Sequence, residues 1–172
     1  KLLHEQAESD IRSALAPFGF YNPVIKKSLE HVDDVWEASY IIEPGPPVLV
    51  QDVHVKLIGA GSKNVKLNTI VNLFPLKKGD ILNQDVYEKV KKKLVNTAFS
   101  EGFLKTAFVE RSLKIKREKN SASIHLVLDT GPQYVFGDTS SDQEVITDEL
   151  LQRFLPYRKG APYGPAKLFE LQ

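Results

Sequence analysis

The sequence predicts an α+β fold made of tandem β-α-α-β-β units. Two observations support this prediction. Short motifs recur in the same order along the 172 residues, and between them segments of period two, typical of strands, alternate with segments of helical period. The chain is therefore expected to hold repeated domains rather than one continuous sheet.

The repeat is defined by short glycine motifs. Three of them recur at spacings of 81 to 86 residues: the Gly-Pro pairs at Gly45 and Gly131, the Lys-Gly loops at Gly79 and Gly160, and the glycines after a helix at Gly19 and Gly102. This order defines a unit of roughly 80 residues. The predicted domains are the C-terminal part of a first unit over residues 1–46, a complete second unit over 47–132, and the N-terminal part of a third over 133–172.

The second unit begins with a predicted strand, in which Val53, Val55 and Leu57 alternate with polar residues. A short helix follows, with apolar residues at helical spacing over 67–74. Pro75 marks its end, because proline cannot continue a helix interior.

A second helix is predicted from Asn83, its N-cap, to Gly102, a left-handed stop. Its apolar stripe should cover the sheet and contains Val86, Val90, Leu94 and Ala98. The helix spreads the three consecutive lysines 91–93 over most of its circumference, so we interpret them as a solvated helix face rather than a nucleic-acid patch.

Two more strands complete the unit. The second strand is expected over 104–114, the chain reverses at 117–120, and the third strand follows. The apolar face of the second strand is predicted to contain Ala107, Val109, Leu113 and Ile115, and that of the third Ile124, Leu126 and Leu128.

The flanking segments follow the same template. In the first unit a helix ends near Gly19, a strand starts at Val24, and the chain turns at Asp33 and Asp34. The next strand should bury one face, formed by Trp36, Ala38, Tyr40 and Ile42. In the third unit we expect a strand from 134–137, a first helix over 145–155, and a chain that stops within the second helix.

Composition and residue spacing argue against several classes of function. With Lys+Arg 23 against Asp+Glu 22, the net charge of +1 disfavours binding to nucleic acid. The chain has no cysteine, which excludes disulfides, Cys-ligated metal and a thiol nucleophile. No segment approaches the roughly 18 apolar residues of a membrane helix.

No catalytic, cofactor or metal site is predicted, and the chain is not expected to be an enzyme. The four histidines, His4, His31, His54 and His125, lack the spacing of metal ligands. Asp33 and Asp34 suit a turn, and the loop 59–62 lacks the glycine patterns of phosphate-binding loops. The aromatic residues Phe18, Phe20, Tyr21 and Trp36 are expected to pack in the core.

The order of elements, joined at Gly-Pro without a linker, resembles the polypeptide-transport-associated (POTRA) domains of outer-membrane assembly proteins in the BamA/TamA family. The motifs that contribute most to the likeness to the TamA branch are "APFGFYNP", "PGPPVLV", "ILNQDVYEKVKKKL" and "YVFGDTSS…ITDELLQRFLPYRKG". The resemblance implies that each unit is a three-stranded mixed sheet covered on one face by two helices.

The resemblance also implies a periplasmic scaffold tethered to the outer membrane of a Gram-negative bacterium. Its implied partners are nascent outer-membrane proteins or autotransporters, a TamB-like protein anchored in the inner membrane, and an outer-membrane barrel at the C-terminus of the same chain. The alternatives are a two-partner secretion transporter, a BamA-like subunit and, more distantly, a nucleic-acid-binding α+β module.

The expected binding mode is β-augmentation, in which an extended partner adds a strand to an open sheet edge. The third strand should lie in the middle of the sheet, which leaves the second strand at the border. The candidate partner-binding residues are therefore Leu104, Lys105, Thr106, Ala107, Phe108, Val109, Glu110 and Arg111.

Overall fold

The computed structural model describes residues 2–139, 147, 150 and 153–169. The described helices are α1 (Leu2–Leu15), α2 (Val65–Asn72), α3 (Gln84–Ser100) and α4 (Pro165–Phe169). The described strands are β1 (Val24–Val32), β2 (Val35–Glu43), β3 (Leu49–Ile58), β4 (Ala107–Lys116) and β5 (Ser121–Asp129). Most of the helix predicted over 145–155 lies outside the described residues.

The strands form two sheets. β1 and β2 pair as an antiparallel hairpin, and the other sheet has the order β3-β5-β4. At the start of β3 the Leu49 amide donates to the Asn120 carbonyl, and at its end the Ile58 carbonyl accepts from the Thr130 amide. Because start pairs with start and end with end, β3 and β5 are parallel, whereas a tight turn joins β4 to β5. The sheet is mixed, as predicted, with β5 in the middle and β4 at a border.

A cluster of buried side chains joins this sheet to α2 and α3. Its members are all at most 9% exposed: Leu57, Leu67, Leu94, Ala98, Phe103 and Leu128. Ile124 and Leu126 of β5 are also fully buried. The apolar faces predicted for β3, β5 and α3 are confirmed, since their spacing at periods of 2 and 3.6 places these residues on one side of each element.

Polar side chains and a glycine set the helix ends. The Asn83 Oδ1 atom accepts from the Val86 amide at 3.1 Å, which confirms Asn83 as the N-cap of α3. Asn64 Oδ1 caps α2 in the same way, through the Leu67 amide. Gly102 ends α3 with φ +87°, the left-handed conformation predicted for it.

The lysines of α3 do not form one patch. Lys91 is only 9% exposed, whereas Lys92 and Lys93 are exposed. This agrees with the splayed arrangement predicted from the helical period, but the solvated position predicted for all three lysines is wrong at Lys91, which the helix places on its buried side.

The predicted start and face of β4 are wrong. The strand starts at Ala107, since residues 104–106 belong to the turn after α3. Phe108 packs against the buried cluster, whereas Val109 is 61% exposed, so Ala107 and Val109 are not on the buried face. Both alternating sets in this segment contain apolar residues, and the larger Phe108 side chain occupies the interior.

The prediction that the aromatic residues of the first unit pack in the core is also wrong in part. Trp36 is 62% and Phe18 52% exposed, while Phe20 and Tyr21 are half-buried. The His4 side chain of α1 contacts β2 at Tyr40, whose hydroxyl lies 2.9 Å from His4 Nδ1. Trp36 lies at the other end of β2, next to the hairpin turn and away from this contact. There it packs on the ring of its cross-strand partner His31.

The expected strand at 134–137 is reduced to an isolated bridge between Val135 and Pro162. The hairpin turn of the first unit does match its prediction, because Asp33 and Asp34 both have positive φ, as tight two-residue hairpin turns require.

By the contacts among its residues the chain divides into two compact parts, which differ from the predicted repeat units. One contains Lys1–His54, Phe74–Lys89 and Ser112–His125, and the other contains Val55–Leu73, Val90–Arg111 and Leu126–Gln172. The domain boundaries at 46/47 and 132/133 stay a prediction.

We expect residues 47–132 alone to unfold in a single cooperative transition, because this segment contains the whole three-stranded sheet, α2, α3 and the buried cluster. Circular dichroism during thermal unfolding would check this. An unfolded 47–132 fragment, alongside a folded fragment with other ends, would show that the predicted boundaries are wrong.

Acidification should weaken the contact between Glu101, after α3, and the start of α2. Glu101 accepts hydrogen bonds from Lys66 Nζ and Asn64 Nδ2, and the bond from Lys66 lowers the pKa of Glu101 against the opposing effect of burial. Because the folded pKa lies below the unfolded value, the stabilisation is complete above about pH 5 and is lost as pH falls through the folded pKa.

Glu101→Gln should therefore lose less thermal stability than the parent between about pH 5 and pH 3. Glu118→Gln, at an exposed carboxylate in the turn between β4 and β5, is the control and should follow the parent. Equal acid sensitivity of the parent and Glu101→Gln would contradict the prediction.

Candidate functional site

The candidate partner-binding segment, residues 104–111, spans a turn and the first half of β4. Leu104, Lys105 and Thr106 precede the strand, and the other five residues lie within it. Because β4 is a border strand, its outer side pairs with no other strand in the part of the chain that the structure describes. The second half of the predicted segment is thus an available sheet edge.

Hydrogen bonds and packing fix the start of this edge. The Thr106 hydroxyl donates to the Asp129 carbonyl at 3.1 Å, and the Thr106 amide donates to the Phe103 carbonyl at 3.2 Å. Phe108 is anchored in the buried cluster. The start of β4 is therefore held in place before any partner binds.

The exposed residues of the edge are small, apolar or charged. Ala107, Val109, Glu110 and Arg111 are all exposed. Opposite charges on neighbouring residues discourage uncontrolled pairing of such an edge with a second copy, yet they leave the backbone accessible.

The other border strand, β3, is partly closed. The Val50 amide donates to the Asp80 carbonyl, the Gly79 amide donates to the Val50 carbonyl, both at 2.8 Å, and Leu49 bridges to Ile81. The first half of β3 therefore already has a partner along its outer side.

This closure is part of a larger contact that we call the first joint, formed by Gly19, Val48, Val50 and residues 79–82. The Val48 amide donates to the Gly19 carbonyl at 2.8 Å, and the Leu82 amide donates to the Val48 carbonyl at 2.9 Å. Main-chain hydrogen bonds thus tie together the end of the first repeat, the start of β3 and the Lys-Gly loop.

A second joint repeats this pattern with Gly102, Tyr134, Phe136 and residues 160–163. The four equivalent bonds run from Tyr134 to Gly102, from Tyr163 to Tyr134, from Phe136 to Ala161 and from Gly160 to Phe136, at 2.8 to 2.9 Å. Equivalent residues of the two joints are 81 to 86 positions apart. Two of the three motifs that define the sequence repeat, the glycine after the helix and the Lys-Gly loop, are therefore parts of one recurring joint, and the third motif, Gly-Pro, lies just before the joint residues Val48 and Tyr134.

Both joints require glycine after the helix. Gly19 and Gly102 have φ of +91° and +87°, and a Cβ atom would lie 2.7 Å from the Leu82 carbonyl oxygen and 2.5 Å from that of Tyr134, respectively. Other residues would be strained in this conformation and would also collide with backbone.

Side chains add to the first joint around Tyr21. Gln84 Nε2 donates to the Tyr21 hydroxyl, and the Arg117 guanidinium lies 5.4 Å from the ring centroid. Burial raises the pKa of Tyr21 against the opposing effects of these two groups, so the phenol stays protonated at neutral pH and keeps its hydrogen bond from Gln84.

The sheet surface carries a pair of histidines. The rings of His54 and His125 are 5.9 Å apart, and His125 Nε2 lies 3.0 Å from Asp52 Oδ2. Among the described residues no group of three or more His, Cys, Asp or Glu side chains could hold a metal ion.

The loop 59–62 uses its amides internally. The Gly61 amide donates to the Thr130 hydroxyl, the Ala60 amide to the Gly131 carbonyl and the Ser62 amide to the Gly59 carbonyl. These groups close the connection between β3 and α2 and leave no cradle of free amides for a phosphate.

The joints are the feature that sequence analysis did not recognise as a site, although it had found their motifs. The constant spacing of Gly19, the strand start and the Lys-Gly loop was the signal, since three motifs that recur together are expected to meet in space.

Among the described helices, none is long and apolar enough to span a membrane.

Two family models match most of the chain. Residues 1–44 match the model described as POTRA domain TamA domain 1. Residues 50–131 match the POTRA model, described as surface antigen variable number repeat.

Solved structures that the chain matches include POTRA3–5 of Haemophilus influenzae BamA, with 15% identity, a TM-score of 0.49 and coverage of 97% of this chain and 66% of that one. BamA from Haemophilus ducreyi lacking POTRA domains 1–3 has 14% identity and a TM-score of 0.44, with coverage of 77% of this chain and 24% of that one. POTRA1–2 of Omp85 from Anabaena has 20% identity and a TM-score of 0.38, with coverage of 74% of this chain and 73% of that one.

Replacing the glycines of the joints should destabilise the protein. We expect Gly102→Ala and Gly19→Ala to lower the free energy of unfolding by about 3 kcal/mol or more, because backbone strain and a collision with a carbonyl add together. Chemical denaturation of the full chain measures this change.

Two other glycines separate these contributions. Gly79 has φ +96° with open space around its Cβ position, so Gly79→Ala should cost only the strain of about 1 kcal/mol. Gly137 has open space and no positive φ, so Gly137→Ala should be neutral. Equal effects at Gly102 and Gly79 would show that the close approach does not matter.

Proposed function

The chain belongs to the POTRA domain family, and from this premise we propose that it is the periplasmic scaffold of a TamA-like factor that binds client polypeptides or an assembly partner through the β4 edge. In this proposal the chain acts in outer-membrane protein assembly, the role implied by its POTRA domains. They are non-catalytic modules in the periplasm. The chain spans 66% and 24% of the lengths of the first two structures that it matches.

The observation that supports this function most is the asymmetry between the two borders of the sheet. The first half of β3 is paired with residues 79–82, whereas the outer side of β4 pairs with no described strand. Of the two borders of this sheet, β4 therefore offers a partner strand the more open backbone.

β-Augmentation suits a broad range of clients. Main-chain hydrogen bonds give the affinity, and they do not depend on the partner's side chains. The exposed small and apolar residues Ala107 and Val109 set few demands on side chains opposite them.

The proposed clients are nascent outer-membrane proteins, including autotransporters. A TamB-like protein and a C-terminal outer-membrane barrel of the same chain are the further partners in this proposal. The match of residues 1–44 to the first POTRA domain of TamA supports the TamA-like assignment over a two-partner secretion transporter.

Proline substitutions at two adjacent exposed residues test the edge. Along a strand, neighbouring N–H groups point to opposite sides, so one of the amides of Val109 and Glu110 faces outward. Proline removes that donor. At the outward position it should weaken binding of a peptide taken from the last strand of an outer-membrane barrel protein by about fivefold or more, with little loss of thermal stability.

At the inward position proline should lower the melting temperature, because it removes a bond to β5. Val109→Ala and Glu110→Ala keep the amides and are the matched controls, and they should bind the peptide as the parent does. Phe108 is avoided because its side chain belongs to the buried cluster. Unchanged peptide binding in both folded proline variants, measured by fluorescence anisotropy, would refute binding at this edge.

A further inference from the structure

We propose that the second repeat carries a binding site for a phosphate-bearing ligand on its sheet surface, near the turn that joins β4 to β5. The observation is a depression of about 300 Å³, which we call the cationic basin. Its lining residues are Gln51, Lys114, Lys116, Lys119, Ser121 and Ser123. This proposal does not depend on peptide binding at the β4 edge.

The fold brings these residues together from three strands and a turn. Gln51 lies on β3, Lys114 and Lys116 on β4, and Ser121 and Ser123 on β5, while Lys119 belongs to the turn. Residues two apart on a strand share a face, so each strand of the pair β4 and β5 contributes two side chains to one surface.

The basin is a local excess of positive charge in a chain whose net charge is only +1. No carboxylate lines it. Its three lysines make no ion pair with the described residues of this chain, in contrast to Lys26, Lys66 and Lys159, which do. Three ammonium groups around one depression repel each other, and an anion between them would relieve that repulsion.

The lining groups specify the chemistry of the ligand. Ammonium groups only donate hydrogen bonds, and the serine hydroxyls and the Gln51 amide can donate as well. A ligand with several acceptor oxygens and negative charge satisfies all of them. A phosphate group has this character, and lysine is a common point-charge partner of phosphate.

The structure also argues against a peptide strand in the basin. Strands β3, β5 and β4 pair with one another, so the sheet surface offers side chains rather than free backbone groups. The volume suits a compact head group, at the lower end of small-ligand sites.

The first experiment is an NMR titration of the full chain with inorganic phosphate at constant ionic strength set with chloride. Saturable shifts should centre on the amides of Lys116, Ser121 and Ser123. The triple variant Lys114→Gln, Lys116→Gln, Lys119→Gln should weaken the apparent affinity about tenfold.

A matched triple variant on α3 removes the same charge elsewhere. Lys89→Gln, Lys92→Gln and Lys93→Gln change three exposed lysines, and this variant should bind phosphate within about twofold of the parent. Equal weakening in both triple variants, or shifts without saturation, would show non-specific attraction and overturn the proposal.

A second experiment distinguishes the sources of phosphate. Sedimentation with vesicles of phosphatidylglycerol and phosphatidylcholine, compared with phosphatidylcholine alone, tests a lipid head group. Dependence of vesicle binding on the three basin lysines assigns the site to lipid, and dependence of inorganic phosphate binding alone assigns it to a soluble phosphate. The phosphate site is overturned if neither vesicle binding nor inorganic phosphate binding depends on the three basin lysines. It is also overturned if an oligo-glutamate peptide binds to the basin more tightly than phosphate does and displaces it.

Discussion

The connection between successive repeats depends on one contact, the hydrogen bond accepted by the carbonyl group of a glycine that follows a helix. At Gly19 and again at Gly102 the backbone is left-handed, and this carbonyl accepts from an amide at the start of the next predicted repeat, that of Val48 and that of Tyr134, respectively. The same backbone conformation lets a neighbouring carbonyl approach to a distance that excludes a Cβ atom. Each joint is therefore specified by backbone conformation and main-chain hydrogen bonds, with side chains such as Tyr21 and Gln84 as reinforcement.

Backbone recognition at the joints has a consequence for the sheet edges. Residues 79–82 use the outer side of β3 to build the first joint, so the edge that could bind a partner from this side is closed by the protein itself. The opposite border, β4, has no such role in either joint. Under the proposed binding mode, joining repeats and binding partners use different borders of one sheet, so a partner that adds to β4 would not compete with the first joint.

The sequence predicted the elements whose periodicity is unambiguous. In β5 every second residue is apolar, and Asn83 and Gly102 occupy the ends of a strong helical stripe, so both predictions agreed with the structure. The face of β4 was missed because Phe108 and Val109 are adjacent and both apolar, and only packing against the core decides between them. Trp36 was assigned to a core because alternation reveals a shared face but not whether a second layer covers it.

The candidate sites differ in how much of each the sequence could show. An edge follows from strand order, which the short turn between β4 and β5 makes predictable, but the closure of β3 needs the position of residues 79–82. The cationic basin combines Gln51 with residues more than 60 positions away, so its lysines look like ordinary solvated residues until the strands align. Because the edge residues 107–111 lie in the first half of β4 and the basin lysines lie in its second half and in the turn that follows, substitutions can remove one feature and leave the other. Peptide binding and phosphate binding should then respond to separate sets of variants, which makes the two proposals independently testable in one protein.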